Sequence, residues 1–159
     1  MPLPKSVTKI KKDGVEFVSN VDRASYTIQE LSRAALKDVA KLLRKRIKDA
    51  TPVETGVLKK NVGTWVKKNP KTGKCELQVG VYNRDRAKKK GYTYAYHAHL
   101  VEFGTAKMKA ANGGRGFIKP TVQDSIDDIR RIEGQYLSAI EDENRALGLI
   151  DEEEEIADD

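Results

Sequence analysis

The chain is poor in the residues from which most chemical sites are built. Among its 159 residues are one cysteine, Cys75, two histidines, His97 and His99, and one tryptophan, Trp65. A single cysteine excludes an intrachain disulfide and any cysteine-based metal cluster. Its place in the strand-like run Cys75-Glu76-Leu77-Gln78-Val79-Gly80-Val81 suits a small buried hydrophobe. Aromatic residues make up only 6% of the chain. No apolar run approaches the ~18 residues of a membrane span. The opening stretch MPLPKSVTKIKK lacks the apolar core of a secretory signal, so the protein is expected to stay in the cytoplasm where it is made.

The scarce candidates for chemistry do not form a constellation. His97 and His99 point about 200° apart on a helix and share a face only on a strand. Glu102 is the nearest third ligand, and neither His-Glu-x-x-His nor a His-x-Glu pattern with paired cysteines is present. A small hydrolase built on His97, His99 and Glu102 is the weakest of the functional alternatives. Cys75 is far from both histidines along the chain, in a setting that does not stabilise a thiolate. Ser25, Ser32, Thr51, Thr55 and Thr105 have no nucleophile-elbow context, and capping and turn roles account for them. Gly113-Gly114-Arg115-Gly116 lacks the Lys-Ser or Lys-Thr ending of a phosphate-cradling loop and follows no convincing strand, so it reads as a loop. No catalytic residue, metal or cofactor is expected.

What the chain does have is charge, and it is segregated. Charged residues make up 34% of the sequence and the net charge is +6. Residues 1–120 hold 27 Lys+Arg and 10 Asp+Glu, a net of +17, whereas residues 121–159 hold 3 and 14, a net of −11. Such asymmetry marks a polyanion-binding face, an acidic interaction tail, or both. With 38% hydrophobic residues and a mean hydropathy of −0.63, the chain can build one modest core beneath this surface.

The pattern predicts a basic N-terminal arm or ragged strand over 1–13, a single domain over 14–147 and an acidic tail over 148–159. Asp13-Gly14 signals a turn, and Val15, Phe17 and Val18 suit a short strand. A long helix is predicted over about 22–49, where Ile28, Leu31, Ala35, Leu36, Val39, Leu42, Leu43 and Ile47 form one apolar stripe. It should end before Thr51-Pro52, since a residue preceding proline is pushed out of helical backbone. Strands are expected over 62–67 and 75–82, joined by the Asn69–Gly73 turn. Residues 83–91 are charged enough to read as an exposed loop, 92–105 as a short helix with Gly104 as a left-handed cap, and 106–116 as a flexible loop. Pro120 suits the first turn of a second long helix, with Val122, Ile126, Ile129, Tyr136, Leu137 and Ile140 at roughly helical spacing. The acidic tail is expected to be disordered when unbound. The fold class is α+β: a small antiparallel sheet packed by a long N-terminal helix and a C-terminal helix, with flexible charged loops.

Two separated motifs carry a resemblance. Thr51-Pro52-Val53-Glu54-Thr55-Gly56-Val57-Leu58 is similar to the Pro-x-acid-Thr-Gly-x-Leu turn that follows the long first helix in the tail-completion, or head–tail connector (neck), family of tailed bacteriophages. Tyr94-Ala95, then Glu102-Phe103-Gly104-Thr105, then Phe117-Ile118-Lys119-Pro120 resemble that family's Tyr-Ala, Glu-Phe-Gly-Thr and Phe-x-x-Pro series in order and distance. The resemblance covers about residues 20–135. It departs at Asn112–Gly116, which lengthens the segment before Phe117, at Thr121, where the family often has alanine, and at the acidic tail.

The resemblance implies a structural virion protein of the neck or tail, assembled in the bacterial cytoplasm. It would form a closed ring, with a hexamer favoured, that completes the tail and joins it to the head. Its partners would be copies of itself, the head–tail adaptor or connector, and the tail terminator or tail tube protein. Genomic DNA would pass through the channel without sequence-specific binding. The motif residues Pro52, Thr55, Gly56, Leu58, Tyr94, Ala95, Glu102, Phe103, Gly104, Thr105, Phe117 and Pro120 would be structural, with Phe103 and Phe117 anchoring loops to the core. Lys41, Arg44, Lys45, Lys48, Lys88, Lys89, Lys90 and Arg115 are candidates for an interface or a DNA-proximal surface. A ring needs two different complementary patches per subunit, and the acidic C-terminus is expected to dock on a basic face of a neighbour or partner. The principal alternative is a nucleic-acid-binding protein that grips phosphates with the same cations and stacks bases on Trp65, Tyr92, Tyr94 and Tyr96.

Overall fold

The computed structural model describes residues 8–12, 14–19, 21–52, 56–70, 72–114, 116–140, 142, 145–146 and 148–149. The elements run β1 (Thr8–Lys12), β2 (Val15–Ser19), α1 (Val21–Ala50), α2 (Val57–Asn61), β3 (Val62–Lys68), β4 (Cys75–Val81), α3 (Arg84–Lys89), α4 (Ala98–Phe103), α5 (Ala111–Gly114), α6 (Ile118–Asp124) and α7 (Ile126–Ser138). Strands β1 and β2 pair antiparallel, Thr8 opposite Ser19 and Lys12 opposite Val15. Strands β3 and β4 form a second antiparallel pair, from Val62 opposite Val81 to Lys68 opposite Cys75. The expected α+β architecture is therefore present.

Helix α1, about 45 Å long at 1.5 Å per residue, is the spine. Strands β3 and β4 and helices α6 and α7 all pack on it. Its apolar stripe supplies Val39, Leu43 and Ile47 to a core closed by Leu58, Val62, Ala95 and Phe117. Nearer its start, Leu31, Ala34 and Ala35 meet Tyr136, Ala139 and Ala146 in a second cluster. Ile28, expected on the stripe, is 44% exposed and lines an open groove with Leu137 and Ile140 at the far end of α7. At the other end the Thr51 hydroxyl donates to the Ile47 carbonyl at 2.6 Å, closing the helix ahead of Pro52.

The parity of the β3–β4 pair sorts its residues. Val62, Val66, Leu77, Val79 and Val81 face α1, while Gly63, Trp65, Gln78, Gly80 and Tyr82 face away. On the outer face Trp65 Nε1 donates to Gln78 Oε1 at 2.7 Å. The Tyr82 ring lies over Gly63, where a Cβ would sit 2.3 Å from it. Cys75, at the end of β4, is half-buried rather than enclosed, because its partner in the pairing is the exposed Lys68.

Four local expectations are corrected. Residues 84–89 form helix α3 and not a loop: the Asn83 side chain accepts from the Arg86 N–H at 3.0 Å, and Ala87 is completely buried. One small apolar residue anchors this turn while most of the charged side chains around it are exposed. Between 92 and 105 only Ala98–Phe103 is helical. The stretch read as a loop holds a helical turn at Ala111–Gly114. The second long helix is broken at Ser125, whose buried hydroxyl donates to the Thr121 carbonyl at 2.8 Å and accepts from Arg46 at 2.9 Å. Side-chain bonding back to the preceding turn loosens a helix at such a residue. Of the expected apolar positions, Val122, Ile129 and Tyr136, seven residues apart, turn inward together with Ile132 and Ala139, whereas Ile126, Leu137 and Ile140 are exposed. The acidic residues from Asp151 onward, Thr55 and Arg115 lie outside the described residues.

Candidate assembly surface

Glu102 organises the second half of the motif series. Its carboxylate accepts from the N–H groups of Phe117 at 2.8 Å, Ile118 at 2.9 Å and Lys119 at 3.0 Å. These are donors that the start of α6 cannot satisfy internally, and a negative charge there also complements the helix dipole. The carboxylate thus does from 15 residues away what a local cap residue usually does. Gly116 lets the chain approach this closely: its φ is 80°, and a Cβ would lie 2.7 Å from the Glu102 carbonyl oxygen. Pro120 is the third residue of α6, where its missing N–H is not needed.

Gly104 ends α4 at φ 71° and ψ −169°, so its expected positive φ is present, in an extended rather than a left-handed helical conformation. A Cβ there would sit 2.6 Å from the Ala110 nitrogen and 2.7 Å from the Met108 carbonyl oxygen. Thr105 shapes the turn that follows. Its N–H donates to the Met108 carbonyl at 2.7 Å, and its hydroxyl oxygen accepts from the Met108 N–H at 3.0 Å. Phe117 is fully buried, as expected of an anchor, but Phe103 is 82% exposed and anchors no loop among the described residues. It leaves α4 on a different side from the inward-packed Ala98 and Val101.

The first half of the motif series meets Tyr94 across a concavity of about 560 Å³. Pro52, Gly56 and Leu58 form one wall, Tyr94, Tyr96 and His97 the next, and Leu100, Val101 and Met108 the third. Gly56 turns the chain into α2 with φ 71°. Asn61, completely buried, fixes the opposite wall by donating to the Val57 carbonyl at 2.8 Å and the Thr93 carbonyl at 2.7 Å. Ala95 is tucked into the core, so Tyr94 and Tyr96 on either side of it project outward, 41% and 72% exposed. Among the described residues no carboxylate, lysine or arginine lines the concavity. Among the described residues no group of His, Cys, Asp and Glu could hold a metal ion. The arrangement is suited to apolar contact.

The candidate cations do not make one patch. Lys41, Arg44, Lys45 and Lys48 are on α1, on the inner side of the β3–β4 pair, while Lys88, Lys89 and Lys90 belong to the α3 region on its outer side. Trp65 bridges them around the β3 edge. It lines a groove with Arg33, Lys37, Lys41 and Arg44, and its ring carries the Arg86 guanidinium at 4.7 Å. Trp65 and Tyr92 are not free to receive bases side by side, because both stack on Tyr82, at 6.2 and 6.5 Å. Burial, with the nearby Arg44 and Lys59 charges, holds the Lys48 ammonium below the usual lysine range. Asn61, Arg46 and Asp128 are absent from the residues that the sequence singles out, since nothing in local spacing reveals partners 32 to 82 residues away.

A family model described as "Bacteriophage HK97-gp10, putative tail-component" matches residues 15–104, more than half of the chain. No match was found among curated proteins or among solved structures. The matched span contains α1, the Pro52–Leu58 turn, the β3–β4 pair and the Tyr94-to-Gly104 series that build the concavity. The chain belongs to the HK97-gp10-like family of bacteriophage tail components and is a structural phage protein.

Proposed function

We propose that the chain is a non-enzymatic ring component of the phage neck, which completes the tail and joins it to the head. The observation that carries this reading is the pairing of an open apolar concavity, built from the motif residues, with the bare Phe103 ring on the same short helix. A projecting apolar group and a separate apolar recess on one subunit are the elements of a head-to-tail interface that closes into a ring. In that arrangement Phe103 of one subunit seats in the recess between Leu58, Tyr94 and Met108 of the next. A hexamer around the DNA channel, with the adaptor or connector above and the tail terminator or tail tube below, is the assembly this supports.

Native mass spectrometry and negative-stain imaging, on the protein alone and mixed with its adaptor and tail-tube partners, test the reading. Closed rings in either condition are expected. A monomer in both that binds duplex DNA tightly would instead favour the nucleic-acid alternative.

A further inference from the structure

Along α1 the residues Arg33, Lys37, Lys41, Arg44 and Lys48 are spaced four, four, three and four apart, which puts them on one stripe of the helix. The first four line the groove against Thr64, Trp65 and Val66 of β3. Arg33 and Lys41 have weak acidic neighbours one turn back, Glu30 at 3.6 Å and Asp38 at 3.4 Å. Lys37, Arg44 and Lys48 have no ion-pair partner among the described residues, and the Arg44 Nε is buried without a hydrogen bond. Lys48 is held below the usual lysine range first by burial and then by the Arg44 and Lys59 charges.

The chain carries its own counter-charge. Seven of the nine residues 151–159 are Asp or Glu. Just before them, Ala146 and Leu149 pack in the cluster that holds Ala34 of α1. Ala34 is three residues from Lys37 and seven from Lys41, so Leu149, two residues before Asp151, packs on the flank of the stripe. Nine extended residues span about 30 Å, and the stripe from Arg33 to Lys48 is about 22 Å long. Tethering gives the segment an effective concentration of the order of millimolar at its own stripe.

We propose that the acidic segment 151–159 docks on the Arg33–Lys48 stripe of its own chain and covers a polyanion-binding surface. This does not depend on ring formation.

The test uses the full chain and a labelled DNA duplex of about 20 base pairs as the polyanion probe. Changing Glu152, Glu153, Glu154 and Glu155 to Gln should tighten duplex binding about tenfold at low salt. Adding Lys37→Gln, Arg44→Gln and Lys48→Gln should remove that gain. Zero-length carbodiimide cross-linking of the unaltered protein should join the acidic segment to Lys37, Lys41 or Lys48 within one monomer. Unchanged duplex affinity in the Gln variant overturns the proposal. So do cross-links found only between two chains, which would make the occupant a neighbouring copy, or none at all.

Discussion

Glu102 carries more local structure than any other polar side chain of the motif. Removing its carboxylate strands three backbone donors at the start of α6. Hydrogen bonds to a charged group contribute about 1.5–3 kcal/mol each, and water recovers part of that where the donor is accessible. Glu102→Ala is therefore expected to lower stability by about 2–3 kcal/mol in urea denaturation. Glu102→Gln keeps one acceptor oxygen and should lose about half as much; equal losses would show that the charge is irrelevant. Gly63 presents a different constraint, steric rather than electrostatic. An alanine there meets the Tyr82 ring at 2.3 Å, and overpacking of this kind costs about 1–3 kcal/mol. Because the clash is with one side chain, Gly63→Ala and Tyr82→Leu should be strongly non-additive in a double-mutant cycle, the second change relieving the first. Simple additivity would place the strain in the strand backbone.

Between elements, the joint that matters is the one where α1 meets the α6–α7 break. Arg46 donates to the Ser125 hydroxyl and to Asp128 Oδ2, and Arg131 bonds the other carboxylate oxygen at 2.8 Å. The Arg46 hydrogen bond, opposed by partial burial and helped by the Arg46 and Arg131 charges, holds Asp128 below its ordinary value of 3.8. A carboxyl with a lowered folded-state pKa stabilises the fold above its unfolded value and loses that contribution as pH falls through the folded value. Asp128→Asn should thus be less stable than the unaltered protein at neutral pH. The difference should shrink below about pH 4, as read by thermal denaturation across an acid series. A constant difference would mean that Asp128 acts through shape alone.

The same joint marks where sequence reading stops. Helix α1 was legible because 30 residues repeat one apolar spacing, and β3 and β4 because alternation and a turn bracket them. The break at Ser125 was not, because it depends on a guanidinium 79 residues away. Helix α3 was hidden by five cations around the one buried Ala87. Motif order located the concavity's residues, but not that Glu102 caps a remote helix or that Phe103 faces outward. Both depend on how α4 lies against α6, which no local pattern encodes.

At the scale of the whole molecule, two kinds of surface are left open, one charged and one apolar, and salt separates their roles. Contacts among exposed charges weaken as the screening length drops from about 10 Å at 0.1 M salt to about 3 Å at 1 M. An apolar contact is strengthened, if anything, by excluded salts. If ring closure rests on Phe103 entering a neighbour's recess, assembly should persist at high salt, while binding to the cationic stripe is lost. Phe103→Ser is then the decisive substitution. At 82% exposure the ring contributes little to the core, so the variant should keep its denaturation midpoint within about 0.5 kcal/mol of the parent, as surface changes usually do. It should nonetheless fail to form rings in native mass spectrometry under conditions where the parent assembles. Tyr96→Ala, on the rim of the recess and 72% exposed, should weaken assembly from the opposite side of the interface. Mixing the two variants sharpens the test. In a head-to-tail interface each Phe103→Ser subunit still offers an intact recess and each Tyr96→Ala subunit an intact Phe103. Of the four ordered pairings in a mixture only one, Phe103 of a Tyr96→Ala subunit in the recess of a Phe103→Ser subunit, is therefore intact, and dimers should appear that neither variant forms alone. Rings formed by Phe103→Ser at parental levels would remove Phe103 from the interface.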